Sequence, residues 1–301
     1  MKMIEEILKL KKEKNAVILA HCYQNIEIDE VADFIGDSLY LSQQAAKTEA
    51  DIIVFAGVYF MAETAKILSP DKKILLPRLE SGCQMANMIN LAQLREFKFK
   101  NPNIPTVCYV NSTAEVKSEC DICCTSSNAV KIVSSLGVKE VLFVPDTYLG
   151  KWVESKLEGV KVITFPGHCP THLRITVKDI LQQKSQYQNA LVLAHPECHQ
   201  SVVEIADYVG STTGIMKFAA QSDKKEFIIA TEIGVVERLE RDYPDKKFIL
   251  ASPKAICHNM KWHHLEDIYN ALKYEQYEIE VNEQISKKAV NCINRMLEVS
   301  K

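Results

Sequence analysis

A near-threefold repeat of landmarks constrains this chain more than any single motif. Three short apolar runs end in polar residues: AVILAHCY (Ala16 to Tyr23), TVCYVN (Thr106 to Asn111) and ALVLAHPE (Ala190 to Glu197). With His21, Tyr109 and His195 as anchors, a step of 17 residues reaches Ser38, Ser126 and Thr212, each a hydroxyl in a turn. A step of 36 reaches Gly57, Pro145 and Thr231, at the end of a second strand-like run that a helix-like segment follows. A third run precedes a lone cysteine in each copy, so that Cys83, Cys169 and Cys257 recur at intervals of 86 and 88 residues. Seven residues past each, Asn90, Thr176 and His264 open a helix, with Thr176 and Asp179 in capping-box spacing.

Strand-like runs alternating with helical ones argue for parallel βαβ units with right-handed crossovers. Ile28, Val31 and Ile35 are read as one face of such a helix, and Ile4 to Lys14 as the helix that completes the first copy. The expected fold is α/β: three three-layer αβα domains with parallel sheets, related by a pseudo-threefold axis around a central active site. The boundaries are 1–84, 85–170 and 171–263. A tail, 264–301, carries a helix from Asn282 to Leu297 and is expected to pack on the first copy. Functional groups of parallel sheets gather at the carboxyl ends of strands, and every aligned landmark lies at such an end.

Composition narrows the partners. The 301 residues are 47% hydrophobic and 25% charged with a net charge of -3, as in ordinary globular chains able to bury a large core. No basic stripe or aromatic-rich motif recruits nucleic acid. No apolar run reaches the roughly 20 residues that span a bilayer, and the Lys-rich, acidic start does not read as a signal peptide. Small metabolites are the expected partners and the cytoplasm the expected location. Ten cysteines then point to thiols, metal ligation or redox chemistry rather than to a disulfide framework.

Three converging thiolates suit zinc, completed by a histidine such as His168 or His172, or a [4Fe-4S] cluster with one iron left open; buried free thiols are the third reading. Ser38, Ser126 and Thr212 read either as helix N-caps, at least one of them so, or as an anion site at helix N-termini. His21, His195 and Glu197 end apolar strands, Tyr23 and Tyr109 are matched donors, and Asn111 adds an amide; a Tyr, His and Glu set can shuttle protons. Cys120, Cys123 and Cys124 have no counterparts in the other copies, and with Cys22, Cys108, Cys198 and Cys292 they are read as core or loop thiols.

The motifs AHCYQ, ADFIGDSL, FMAETAKIL, GCQMAN, YVNST, TSSNAV, GHCPTH, HPEC, GSTTG and ATEIG run through nearly the whole chain and resemble the quinolinate synthase family. The resemblance implies the triplicated αβα fold and one [4Fe-4S] cluster on Cys83, Cys169 and Cys257 with an open iron. It also implies condensation of iminoaspartate (iminosuccinate) with dihydroxyacetone phosphate to quinolinate, and functional coupling to an aspartate-oxidising enzyme that supplies the imine. Carried over by motif, His21, Ser38, Tyr109, Val110, Asn111, Ser126, His195, Pro196, Glu197 and Thr212 would bind substrate, and Tyr23, Tyr109, Glu197, His195, His21 and His172 would serve catalysis. The chain departs from the common family pattern at Cys22 and Tyr59, and the HNMK after Cys257 lacks the C-x2-C pair of some relatives. Two other readings stand beside this one: a different [4Fe-4S] hydro-lyase acting on a small carboxylic acid, and a non-catalytic metal-binding protein.

Overall fold

The computed structural model describes residues 2–301, in which runs of β-branched and aliphatic residues form twelve short strands. The first copy comprises α1 (Lys2–Glu13), β1 (Ala16–His21), β2 (Phe34–Gly36), α2 (Ser38–Lys47), β3 (Ile52–Ala56), α3 (Tyr59–Leu68) and β4 (Lys73–Leu75). The second comprises α4 (Leu91–Lys100), β5 (Thr106–Tyr109), α5 (Ala114–Lys117), β6 (Ile122–Cys124), α6 (Ala129–Ser135), β7 (Glu140–Val144), α7 (Thr147–Ser155) and β8 (Lys161–Thr164). The third holds α8 (Pro170–Leu173), α9 (Val177–Gln186), β9 (Leu191–Ala194), α10 (Gln200–Glu204), β10 (Tyr208–Val209) and α11 (Thr212–Gln221). It continues through β11 (Glu226–Ala230), α12 (Ile233–Asp242) and β12 (Lys247–Leu250), and the tail adds α13 (Leu265–Tyr274) and α14 (Glu283–Val299).

Each copy folds into one four-stranded, all-parallel sheet, in the orders β2-β1-β3-β4, β6-β5-β7-β8 and β10-β9-β11-β12. Helices flank each sheet, giving the triplicated αβα architecture. The first strand of each copy, β1, β5 or β9, lies centrally and is buried nearly throughout, as expected of a parallel strand covered on both faces. Its carboxyl end, beside the neighbour reached by the longest crossover, is where a crevice opens in such sheets.

The short second strand of each copy is pinned by an aspartate that the landmark count did not use. Twelve residues past each anchor, Asp33, Asp121 and Asp207 accept the amides of Ile18, Thr106 and Val192 at 2.8, 2.7 and 2.7 Å. The backbone amides of the same aspartates donate to the carbonyls of those three residues. These paired bonds place the edge strands β2, β6 and β10, which at three, three and two residues are too short to announce themselves by alternation.

Two expectations are corrected. Ile28, Val31 and Ile35 do not share a helix: Ile26–Glu30 is a single 3-10 segment, and Ile35 lies in β2. Ile28 and Val31 are buried because a 3-10 turn also stacks residues three apart. The tail divides between two copies. α13 packs on α1 and β3 of the first copy, whereas α14 packs mainly against β6, α5 and α6 of the second and touches α3. Its apolar stripe, Ala289, Cys292, Ile293 and Met296, is buried there, covering an edge strand that would otherwise be open.

Candidate active site

The three copies meet around one cavity, with about 110 Å3 open to the centre of a water-sized sphere. His21, Tyr23 and Cys83 from the first copy, Tyr109, Asn111, Ser126 and Cys169 from the second, and His195, Glu197, Thr212 and Cys257 from the third all line it. Ser38 and His172 do so too. Val110 and Pro196 do not: both are buried off the lining, with Val110 packed in the main hydrophobic core.

The same turn delivers the polar groups of copies one and three. After β1 the amide of Tyr23 donates to His21 Nδ1 (3.1 Å) and that of Gln24 to the His21 carbonyl (2.9 Å); after β9 the amides of Glu197 and Cys198 do the same to His195 (3.3 and 3.0 Å). In both histidines Nδ1 accepts, so the neutral ring carries its proton on Nε2. His195 Nε2 then donates to Ser126 Oγ at 3.1 Å. Burial holds both rings neutral by bringing them down to about 3.

The hydroxyl turns are not caps. Asp37 caps α2 by accepting from the Tyr40 amide, and Ser211 caps α11 by accepting from the Gly214 amide, while Ser38 and Thr212 occupy the first helical positions. Asn128, not Ser126, precedes α6. The capping reading of Ser38, Ser126 and Thr212 therefore falls. Asp37 and Ser211 cap α2 and α11 in their place, and all three hydroxyls lie on the cavity wall.

A line of hydrogen bonds and one close carboxylate–imidazole contact joins the two tyrosines. The Tyr109 hydroxyl donates to Glu197 Oε1 (2.5 Å), Glu197 Oε2 faces His172 Nδ1 (2.7 Å), and His172 Nε2 meets Thr231 Oγ1 (2.8 Å). Thr231 Oγ1 meets the Tyr23 hydroxyl (2.9 Å), which also meets Thr212 Oγ1 (2.9 Å). Every member is at least nine-tenths buried. His172 also stacks on His195, with ring centres 4.6 Å apart. Burial alone would raise the Glu197 carboxyl, but His172 and His195 beside it hold it below the usual carboxylate range. Burial, with the charge of Glu197, pushes both tyrosines well above theirs. The site thus pairs a carboxylate with two proton-bearing phenols, a set suited to general acid-base work.

Thr231, which joins the two halves of this line, was not singled out in the sequence, although the 36-residue step lands on it. Arg174 and His258 also line the cavity and lie outside the repeat register. Asn111 Oδ1 is buried without a partner, an acceptor facing a space meant to be filled.

The three register cysteines are free thiols on this one cavity. Burial raises Cys83 to about 12, Cys257 to about 11 and Cys169 well above its usual range. Cys169 Sγ, His172 and the Glu197 carboxylate offer donor atoms that all lie within 4.8 Å of one another, a group able to hold a metal ion. Three soft donors, one per copy, fit a sulfur-ligated metal or cluster, which would displace their protons on binding.

A triplicated α/β fold with a buried acid-base line and thiols converging on one cavity defines a metal-binding enzyme. Its family follows from comparison with known proteins. The family model described as quinolinate synthetase A protein (NadA) matches residues 5–298, and the chain belongs to that family. It is 52% identical to the protein named quinolinate synthase of Alkaliphilus metalliredigens, across 99% of this chain and 98% of that one. Proteins of the same name from Dehalococcoides mccartyi and Caldicellulosiruptor bescii are 52% and 49% identical across 98% of this chain and 97% of theirs. Among the described residues no helix is long and apolar enough to cross a membrane.

Proposed function

We propose that this chain is a quinolinate synthase of de novo NAD biosynthesis, condensing iminoaspartate with dihydroxyacetone phosphate. Joining the two carbon skeletons with loss of one phosphate and two waters balances every atom of the pyridine dicarboxylate product. The observation that carries this reading is the Tyr109–Glu197–His172–Thr231–Tyr23 line on a cavity that all three copies build, in a chain of this family.

Cys83, Cys169 and Cys257 would hold one [4Fe-4S] cluster with one iron lacking a protein ligand. When bound, that group supplies a Lewis acid able to hold a substrate carboxylate or hydroxyl oxygen. Glu197, ionised and hydrogen-bonded to Tyr109, is the base placed to take a proton during isomerisation. Tyr109 and Tyr23 are the acids placed to return protons to departing oxygens, with Thr231 and His172 passing charge between them. His21 and His195, fixed as Nε2–H donors, orient carbonyl or carboxylate oxygens. Ser38, Ser126 and Thr212 hold the phosphate or carboxylates, Asn111 adds its amide, and Arg174 supplies positive charge on the same wall.

The imine hydrolyses readily in water, so an aspartate-oxidising enzyme is the expected supplier, and the reducing cytoplasm suits an exposed iron. The test is product analysis after anaerobic incubation with the imine and the triose phosphate. Quinolinate and one phosphate per turnover are expected. Iron bound without quinolinate, together with dehydration of another small acid, would replace this reading with a hydro-lyase.

A further inference from the structure

One repeat position remains without a role. Thirty-seven residues past each anchor stand Val58, Asp146 and Glu232, and each occupies the N-cap position of the next helix, α3, α7 or α12. Glu232 and Asp146 are fully buried carboxylates, and neither lines the cavity. A cap needs one oxygen; a carboxylate has two.

In the third copy both oxygens are used. Glu232 Oε2 accepts from the Gly234 amide at the start of α12 (2.7 Å), and Oε1 accepts from the backbone amide of Cys257 (3.1 Å). One side chain thus ties a rigid helix start to the residue whose thiol faces the cavity. In the second copy Asp146 Oδ1 caps α7 through the Leu149 amide (2.6 Å), Oδ2 is buried without a hydrogen-bond partner, and the residue forms a β-bridge with Gly167, two residues before Cys169. In the first copy Val58 offers no acceptor. The Cys83 loop is held by the Tyr59 amide on the Ser81 carbonyl (2.8 Å), the backbone bond that Thr147 and Ile233 make to Gly167 and Ala255 in the other copies, and from the third copy by Asn259 Nδ2, which donates to the Gly82 carbonyl (2.6 Å).

We propose that Glu232 is a positioning residue that aims Cys257 into the cavity, that Asp146 is its counterpart beside Cys169, and that the first copy lacks the device. For Cys257 and Cys169 as cluster ligands the proposal rests on the function proposed above. Burial raises the Glu232 carboxyl to about 7, against the opposing pull of Lys261 and of the two amides it accepts from. Fixing the ligand amide before the cluster arrives reduces the ordering left to do on binding, the usual effect of outer-shell partners on metal affinity.

The discriminating variant is Glu232→Ser. Serine is a good N-cap and preserves α12, yet its side chain is too short to reach Cys257. In the metal-free chain, hydrogen exchange read by mass spectrometry should be roughly tenfold to a hundredfold faster in the segment holding Cys257, the loss expected for one amide–carboxylate bond, with α12 unchanged. In the anaerobically loaded chain, iron should pass to a chelator about tenfold faster or more. If Glu232→Ser does not fold, the isosteric Glu232→Gln leaves one acceptor oxygen for two amides and should show intermediate rates. Wild-type exchange and iron release in a variant with the wild-type far-UV spectrum would overturn the proposal. Faster exchange at Cys257 in a chain whose wild type holds no iron would support the positioning contact and overturn the cluster.

Discussion

Two sets of cysteines share this chain and occupy opposite surroundings. Cys83, Cys169 and Cys257 come one from each copy, follow the last strand of its sheet and sit half-buried on the cavity wall. Cys108, Cys123, Cys124 and Cys292 lie inside the core between the second sheet and α14, with Cys123 and Cys292 sulfurs 3.2 Å apart and Cys120 at its margin donating to the Val116 carbonyl. The first set is surrounded by amides, imidazoles and a carboxylate, the second mainly by aliphatic side chains and carbonyls. The same side chain stands ready as a soft donor where polar loops converge and packs as a small hydrophobe where they do not.

The largest contrast should come from removing one ligand. Cys257→Ser, Cys169→Ser or Cys83→Ser should each abolish bound iron and activity while leaving the fold, since a hydroxyl is a poor soft-metal ligand; full iron content in any of the three would merge the two sets. Next in size, Glu197→Gln should keep the cluster spectrum and lower kcat by about 10²- to 10⁴-fold. Retained turnover would remove Glu197 from the chemistry. Tyr23→Phe breaks the line at one hydroxyl only and should lower kcat by roughly 10²-fold, with KM changed far less.

Acid separates the two regions in another way. Between pH 7 and 5 His21 and His195 should each withdraw stability from the metal-free chain, because the unfolded chain protonates them near the usual 6.5 and the folded one only near 3. The unfolded state binds the extra protons, so stability rises with pH across that window, by up to about 1.4 kcal/mol per unit for each ring. Thermal melts of wild type against His195→Gln would show the smaller slope in the variant; equal slopes would mean the ring is not held neutral. Smallest, Cys123→Ser should leave iron content unchanged and lower stability by about 1–3 kcal/mol through a buried hydroxyl.

Counting by register carried the cysteines, the hydroxyls and the strand ends into one site because each is set by its place on a parallel sheet. What escaped was what register cannot encode. Thr231 stood on a counted position but is a small side chain whose value lies in its two partners, Tyr23 from the first copy and His172 from its own. The edge strands were missed because their pairing is enforced by Asp33, Asp121 and Asp207 rather than by alternating hydrophobicity. α14 reaches α3 of the first copy as expected but packs more extensively on β6 and α5 of the second, because an amphipathic stripe records that a helix is covered, not by what.

Contact between copies explains why the site needs the whole chain. Arg238 of α12, buried in the third copy, donates to the Cys22 carbonyl (2.8 Å) and pairs with Asp29, which fixes the loop that carries Tyr23. A Cβ on Gly234 would come within 2.6 Å of the same carbonyl, so glycine permits that approach. Tyr23 of the first copy is therefore seated by the third.

The central claim is that three cysteines, one per copy, hold a single iron-sulfur cluster on this cavity. Iron and acid-labile sulfide analysis of anaerobically purified wild type beside Cys257→Ser and Cys123→Ser tests it most directly. About four iron and four sulfide per chain are expected in wild type and Cys123→Ser, with neither in Cys257→Ser. A colourless, iron-free wild-type protein, or iron that depends on Cys123 instead of Cys257, would contradict it.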